Sequence, residues 1–263
     1  MPGPCWRIAF VLACLVGAAP ARASAQHLTI AAASDLRSVM PKVIAQFENA
    51  TRQTVTVTFG SSGNFFSQIQ NGAPFDLFFS ADVEYPRRLD ADGLVEKGSV
   101  STYAIGRLVL WARKASGLDV RRGLPLLLDA NVRRIAIANP ATAPYGRAAV
   151  AALQHEQLHD RVKAKLVFGD NVAQAAQFVD SGNADAGLIA ESLALDPAVQ
   201  DRGVYYEIPA IFHPTIEQAV AVIQASRRKT AAHAFLAFMR TPGIVSLMES
   251  YGFTTAAASG HAR

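Results

Sequence analysis

An apolar strand that runs into a small, hydroxyl-bearing turn and then into a helix occurs twice in quick succession in this chain. No other feature narrows the choice of folds as much. The first case is Ile30-Ala31-Ala32-Ala33-Ser34-Asp35-Leu36, and the second is Val55-Thr56-Val57-Thr58-Phe59-Gly60-Ser61-Ser62-Gly63-Asn64. Consecutive βα units set parallel strands side by side, so both turns open on one edge of a sheet. Each turn offers a serine hydroxyl, Ser34 or Ser62, together with the unpaired N–H groups of a helix start. That end of a helix carries about half a positive charge. Two such starts brought together make an anion site that needs no Lys, Arg or metal. Taken singly, either serine reads as an N-cap and nothing more.

The rest of the chain continues the alternation. Strand patterns at 27–32, 54–59, 76–80, 108–112, 134–138, 165–168, 186–189 and 219–224 alternate with helix patterns at 35–51, 63–71, 83–92, 145–159, 172–181, 228–239 and 242–251. This predicts an α/β fold of mostly parallel sheets flanked by helices. The strands at 108–112 and 219–224 bracket a middle segment with its own βαβ pattern. The chain is therefore expected to pass twice between two lobes, one at about 27–112 plus 216–263 and the other at about 113–215. Two lobes on a two-strand hinge enclose a cleft, a favoured place for a ligand.

Residues 1–25 read as a secretory signal peptide rather than as part of the fold. Arg7 precedes an apolar run from Ile8 to Ala19, and Ala23-Ser24-Ala25 is an A-x-A cleavage site. The run is too short for a permanent membrane anchor. A mature, soluble, periplasmic chain starting near Gln26 is expected, and it is expected to be a monomer. Cys5 and Cys14 both fall in the leader, so the mature chain has no disulfide, thiolate metal site or Cys nucleophile. Of 25 Lys and Arg residues, Arg7 and Arg22 leave with the leader, and the remaining 23 stand against 21 acids. The basic residues come in pairs such as Arg87-Arg88 and Arg133-Arg134 without interleaved aromatics. They read as solvated faces, not as a nucleic-acid surface.

The middle segment supplies two more helix starts of the same kind. Asn139-Pro140-Ala141-Thr142-Ala143-Pro144-Tyr145-Gly146 leads from a strand into an Ala-rich helix, and Gly169-Asp170-Asn171-Val172 leads into another. Tyr145 can donate a phenolic O–H and its own N–H, whereas Val172 can donate only an N–H.

With these pieces the chain resembles the periplasmic molybdate-binding proteins of ABC transporters, of the type 2 periplasmic-binding fold. The matching stretches are 31–34, 59–63, Gly-Ala-Pro-Phe-Asp-Leu-Phe-Phe-Ser-Ala-Asp at 72–82, 139–146, 170–172, Ala-Asp-Ala-Gly-Leu at 184–188 and Tyr-Gly-Phe at 251–253. The resemblance implies a tetrahedral oxyanion, molybdate and with it tungstate, as transported ligand. It implies a membrane permease as partner, and no cofactor. Carried over by position, it implies Ser34 and Ser62 from one lobe and Tyr145 and Val172 from the other as ligand-binding residues. Gly63, Asn171 and Asp35 are further candidates. Many members of the family have a tyrosine where this chain has Ala190; here the resemblance gives that part to the Tyr145 hydroxyl. Asp35 is a second departure. It is expected to cap its helix and point outward. Pointing inward, it would accept a hydrogen bond and favour a protonated oxyanion such as phosphate.

His155-Glu156-Gln157-Leu158-His159 is an H-E-x-x-H sequence, which on one helix places two histidines for zinc and a glutamate as general base. The third ligand of the x-x-G-x-x-H continuation is missing, since position 162 is Val, and Glu191 is the one downstream candidate. Gly60-Ser61-Ser62-Gly63 does not form the G-x-S-x-G elbow of a serine hydrolase. The chain is read as a binding protein, with zinc peptidase as the alternative enzyme class.

Overall fold

The computed structural model describes residues 27–255. The segment read as a signal peptide, with Cys5 and Cys14, lies outside the described residues. Among the described residues there are eleven strands: β1 (His27–Ala33), β2 (Thr54–Gly60), β3 (Leu77–Ser80), β4 (Ser101–Gly106), β5 (Leu108–Arg113), β6 (Ile135–Ala138), β7 (Leu166–Gly169), β8 (Ala186–Ala190), β9 (Gly203–Glu207), β10 (Ile216–Val222) and β11 (Thr254–Thr255). The α-helices are α1 (Met40–Thr51), α2 (Ser62–Gln70), α3 (Glu84–Ala91), α4 (Pro144–His155), α5 (His159–Val162), α6 (Val172–Asp180), α7 (Glu191–Ala194), α8 (Lys229–Met239) and α9 (Pro242–Ser250).

These elements form two sheets. The first runs β11-β4-β10-β3-β1-β2 and the second β7-β6-β8-β5-β9. Each has a parallel part, β2-β1-β3 in one and β7-β6-β8 in the other, built from the alternating βα units of the sequence. Antiparallel strands complete each sheet where the chain changes lobe: β10 between β3 and β4, and β5 between β8 and β9. The strand at 108–112, placed with the first lobe on sequence, pairs in the second sheet. The first crossing therefore falls at Arg107, between β4 and β5, and the second lies between β9 and β10.

Burial follows the apolar periodicity. On one face of the first sheet α1, α8 and α9 pack Phe47 edge-on against Phe235 and Phe238. On the other face, Phe65 and Phe66 of α2 and Leu89 of α3 cover Phe78. The second lobe buries Trp111, Leu110, Ile137 and Leu188 beneath α4 and α6. The helix expected over 35–51 is two pieces, a 3-10 turn at Ser34–Ser38 and then α1. Pro41 explains the break, because it lacks an N–H and fits only the first turn of a helix. The helix expected over 145–159 also ends early. Gln157 has φ 56°, so α4 stops at His155 and α5 starts a new direction at His159. Among the described residues, no single helix is long and apolar enough to cross a membrane.

Candidate functional site

Sheet register brings the four turns together. In the first lobe β1 and β2 run in parallel register with Ala33 opposite Gly60, so the turn at Ser34 lies beside the start of α2. In the second, Ala138 of β6 is opposite Gly169 of β7, so the turn at 139–143 lies beside the start of α6. The lobes meet turn to turn. The Gly63 N–H donates to the Thr142 carbonyl at 2.9 Å, and the Ala173 N–H donates to Ser34 Oγ at 3.3 Å. Gly63 permits this approach, since a Cβ there would stand 2.7 Å from the Thr142 oxygen and 2.8 Å from the Tyr85 hydroxyl. Ser34, Ser62, Tyr145 and Val172 are all buried in this closed arrangement.

The two serines are not the caps of their helices. Ser61 caps α2, its Oγ accepting from the Asn64 N–H at 3.3 Å. Ser62 is the first helical residue, and its Oγ accepts from the Ala81 N–H at 2.9 Å. Ser34 makes no cap bond and accepts only from Ala173. Among the described residues neither hydroxyl donates its proton, so both O–H groups are available. Asn171 is a true cap, accepting from the Ala173 and Gln174 N–H groups at 3.1 Å each. No acceptor among the described residues meets the N–H of Ser62, Tyr145 or Val172, each in the first turn of its helix. Five donors, two hydroxyl and three backbone, are thus held at four converging turns.

Asp35 is not an outward-pointing cap. It is 0% exposed, and its Oδ2 accepts from Gln218 Nε2 at 2.5 Å and from the Tyr145 hydroxyl at 3.2 Å. Tyr145 accepts in turn from Gln218 Nε2 at 3.3 Å, and Tyr103 donates to Gln218 Oε1 at 2.6 Å. In this arrangement the Tyr145 hydroxyl donates to Asp35, while its N–H meets no acceptor among the described residues. Desolvation pushes the Asp35 carboxyl up to about 6 in spite of these donors, and burial also raises both phenols well above their ordinary value. Tyr103 and Gln218 were not foreseen. Each lies on a hinge strand, and their partners are 115 and 183 residues away along the chain. Only the placement of a polar Gln within the apolar run of β10 could have signalled them.

At the cleft rim Arg147 of α4 bonds to Asp82 and, at 3.1 Å, to the Tyr85 hydroxyl, so an ion pair also links the lobes. At the hinge, Arg107 lies 3.8 Å from the buried Glu191 and 3.6 Å from Glu207. The H-E-x-x-H residues do not share a helix face. His155 stacks on Phe212 at 4.4 Å and bonds to Glu156, whereas His159 faces Asp160 from the next helix. The break at Gln157 removes the one-turn spacing that zinc chelation by this motif requires.

The two-lobed architecture and its buried cleft of donors agree with what comparison finds. Residues 28–254 match the family described as bacterial extracellular solute-binding protein. The molybdate-binding protein ModA of Azotobacter vinelandii is 36% identical, over 92% of this chain and 96% of its own. The ModA of Rhodobacter capsulatus is 33% identical, over 89% of this chain and 90% of its own. The solved structure of the Azotobacter vinelandii periplasmic molybdate-binding protein superposes with a TM-score of 0.81 at 34% identity, covering 86% of this chain and 98% of that one. The chain belongs to the bacterial extracellular solute-binding proteins, a class that works outside the cytoplasm. Within that class it is of the ModA type.

Proposed function

We propose that this protein captures molybdate, and tungstate equally, in the periplasm after loss of residues 1–25. As a monomer it delivers the anion to the membrane permease of an ABC transporter. Ser34 and Ser62 donate their hydroxyls to the anion, and Ser62, Tyr145 and Val172 donate backbone N–H groups. Gly63 lets the lobes close, and Asn171 holds the start of α6 in place. The observation that carries this reading is the set of four helix-type turns squared against one another in a buried cleft, with five unspent donors. The relatives named for molybdate binding supply the choice among tetrahedral oxyanions. Every contact is to oxygen, so the protein makes no bond to the metal and needs no cofactor.

The magnitudes are sufficient. Hydrogen bonds to a charged group contribute about 1.5–3 kcal/mol each, so five give about 7–15 kcal/mol. Association costs about 4 kcal/mol or more. The upper part of that range reaches micromolar binding, about −8 kcal/mol. Exclusion of water from the closed cleft strengthens each donor. A thermal-shift and competition titration with molybdate, tungstate, sulfate and phosphate tests the reading. Molybdate or tungstate at a hundred times its dissociation constant is expected to add about 2.7 kcal/mol of stability. An unmoved melting temperature with both ions, alongside a clear shift with a sugar or an amino acid, would overturn it.

A further inference from the structure

We propose that oxyanion capture in this cleft takes up one proton, held by Asp35, so that the site receives the anion and a proton together. The inference rests on the oxyanion reading above and adds a positioning residue to it. Asp35 is the residue after Ser34, fully buried on the same turn. Its Oδ2 accepts from the side chains of Gln218 and Tyr145, and the N–H groups of Asp35 and Leu36 also favour its charged form, while its buried Oδ1 meets no hydrogen-bond partner among the described residues. A bare carboxylate oxygen without water or donor is costly to keep charged. A proton on Oδ1 removes that cost and turns an unpaired acceptor into a donor.

The surroundings give the carboxylate no compensating cation. From α4 it faces Tyr145, from β10 the neutral Gln218, and behind that Tyr103 of β4. From α7, Ser192 donates to the Asp35 carbonyl at 2.7 Å, and the neighbouring Glu191 is the nearest acid on that element. The start of α6 brings only backbone N–H groups. Arg37, on the same turn, lines a separate hollow with Trp111 and Asp180. No ion pair among the described residues includes Asp35.

In the closed cleft burial outweighs the hydrogen bonds and lifts this carboxyl to about 6, so above neutral pH it is ionised before the anion arrives. A dianion one residue away is a like charge and lifts it further, past the ambient pH. Binding therefore draws a proton from solvent. The lone pair on Oδ1 forms the new O–H bond, no bond of the oxyanion is made or broken, and the anion stays fully deprotonated. Parting of the lobes readmits water and returns the proton.

Isothermal titration of the mature protein with sodium molybdate, at pH 7.5 in buffers of different ionisation enthalpy, reads the proton count as a slope. The expected slope is close to one proton per anion at pH 7.5 and close to zero at pH 5. The dissociation constant should rise up to about tenfold per pH unit above 7, the limit for a single coupled proton. Asp35→Asn should bring the slope at pH 7.5 to zero, and Glu191→Gln should leave it unchanged. A slope near zero in the wild-type protein, or uptake that survives Asp35→Asn, overturns the proposal while the oxyanion reading stands. Failure of molybdate and tungstate to bind at all overturns both. Should the Asp35 variant not fold, an infrared difference spectrum of the wild type decides. A new carboxylic-acid carbonyl band on adding molybdate supports the assignment, and its absence overturns it.

Discussion

Ser34, Ser62 and Tyr145 carry hydroxyls that differ in what they have left to give. Those of Ser34 and Ser62 accept one N–H each and keep their protons. Ser34→Ala and Ser62→Ala should therefore each weaken molybdate binding by about ten- to a hundredfold, the loss of one hydrogen bond to a charged group. Tyr145→Phe removes a donor to Asp35 instead and should cost less than either serine change, as titration of the three variants will show. Asp35 has a second, independent signature. Its carboxyl is raised from 3.8 to about 6 by burial, so between those values the folded chain holds more protons than the unfolded one. Stability should then fall as pH rises from about 4 to about 6, by about 3 kcal/mol once the group is fully ionised. Asp35→Asn should flatten that part of the curve, and ligand-free melting temperatures from pH 4 to 8 for both proteins test this.

At the scale of elements, the starts of α2, α4 and α6 matter more than their bodies. Val172 is the first residue of α6 and follows Asn171 in extended conformation, φ −152° and ψ 173°. Proline is tolerated at that helical position and cannot donate. Val172→Pro should thus delete one anion donor, weakening binding about tenfold or more, while the melting temperature without ligand changes little. The helix starts were legible in the sequence because each is a local pattern: a β-branched or alanine strand, a small or capping residue, then apolar periodicity. The partition of roles within them was not. Ser61 and Ser62 are indistinguishable by type, and only the three-dimensional path of β3 brings the Ala81 N–H to the second of them. Strands β4 and β9 escaped notice because Ser101-Thr102-Tyr103 and Tyr205-Tyr206-Glu207 lack an apolar run. The hydrogen-bonded set of Asp35, Tyr145, Gln218 and Tyr103 joins four separate elements, which no spacing rule could connect. The continuous helix read through His155 and His159 failed at one residue, Gln157, whose left-handed conformation no local composition demanded.

For the whole molecule, the four turns meet only where the two lobes touch, and Gly63 sits at that contact. Its missing Cβ is what allows the 2.9 Å bond to Thr142. Gly63→Ala should hold the lobes apart, weaken molybdate binding at least about tenfold by the loss of second-lobe donors, and suppress the compaction that small-angle scattering is expected to record when molybdate is added to the unaltered protein. The fold of each lobe should survive, because the φ of Gly63 is one any residue adopts and the contact lies between lobes. Three of the five donors in the cleft belong to the main chain, at Ser62, Tyr145 and Val172. A side-chain substitution leaves an N–H where it is, and only proline deletes it. Attempts to retune this site toward another oxyanion by side-chain redesign act on a minority of its donors. The durable changes are those that move a helix start, by lengthening or shortening the loop before it.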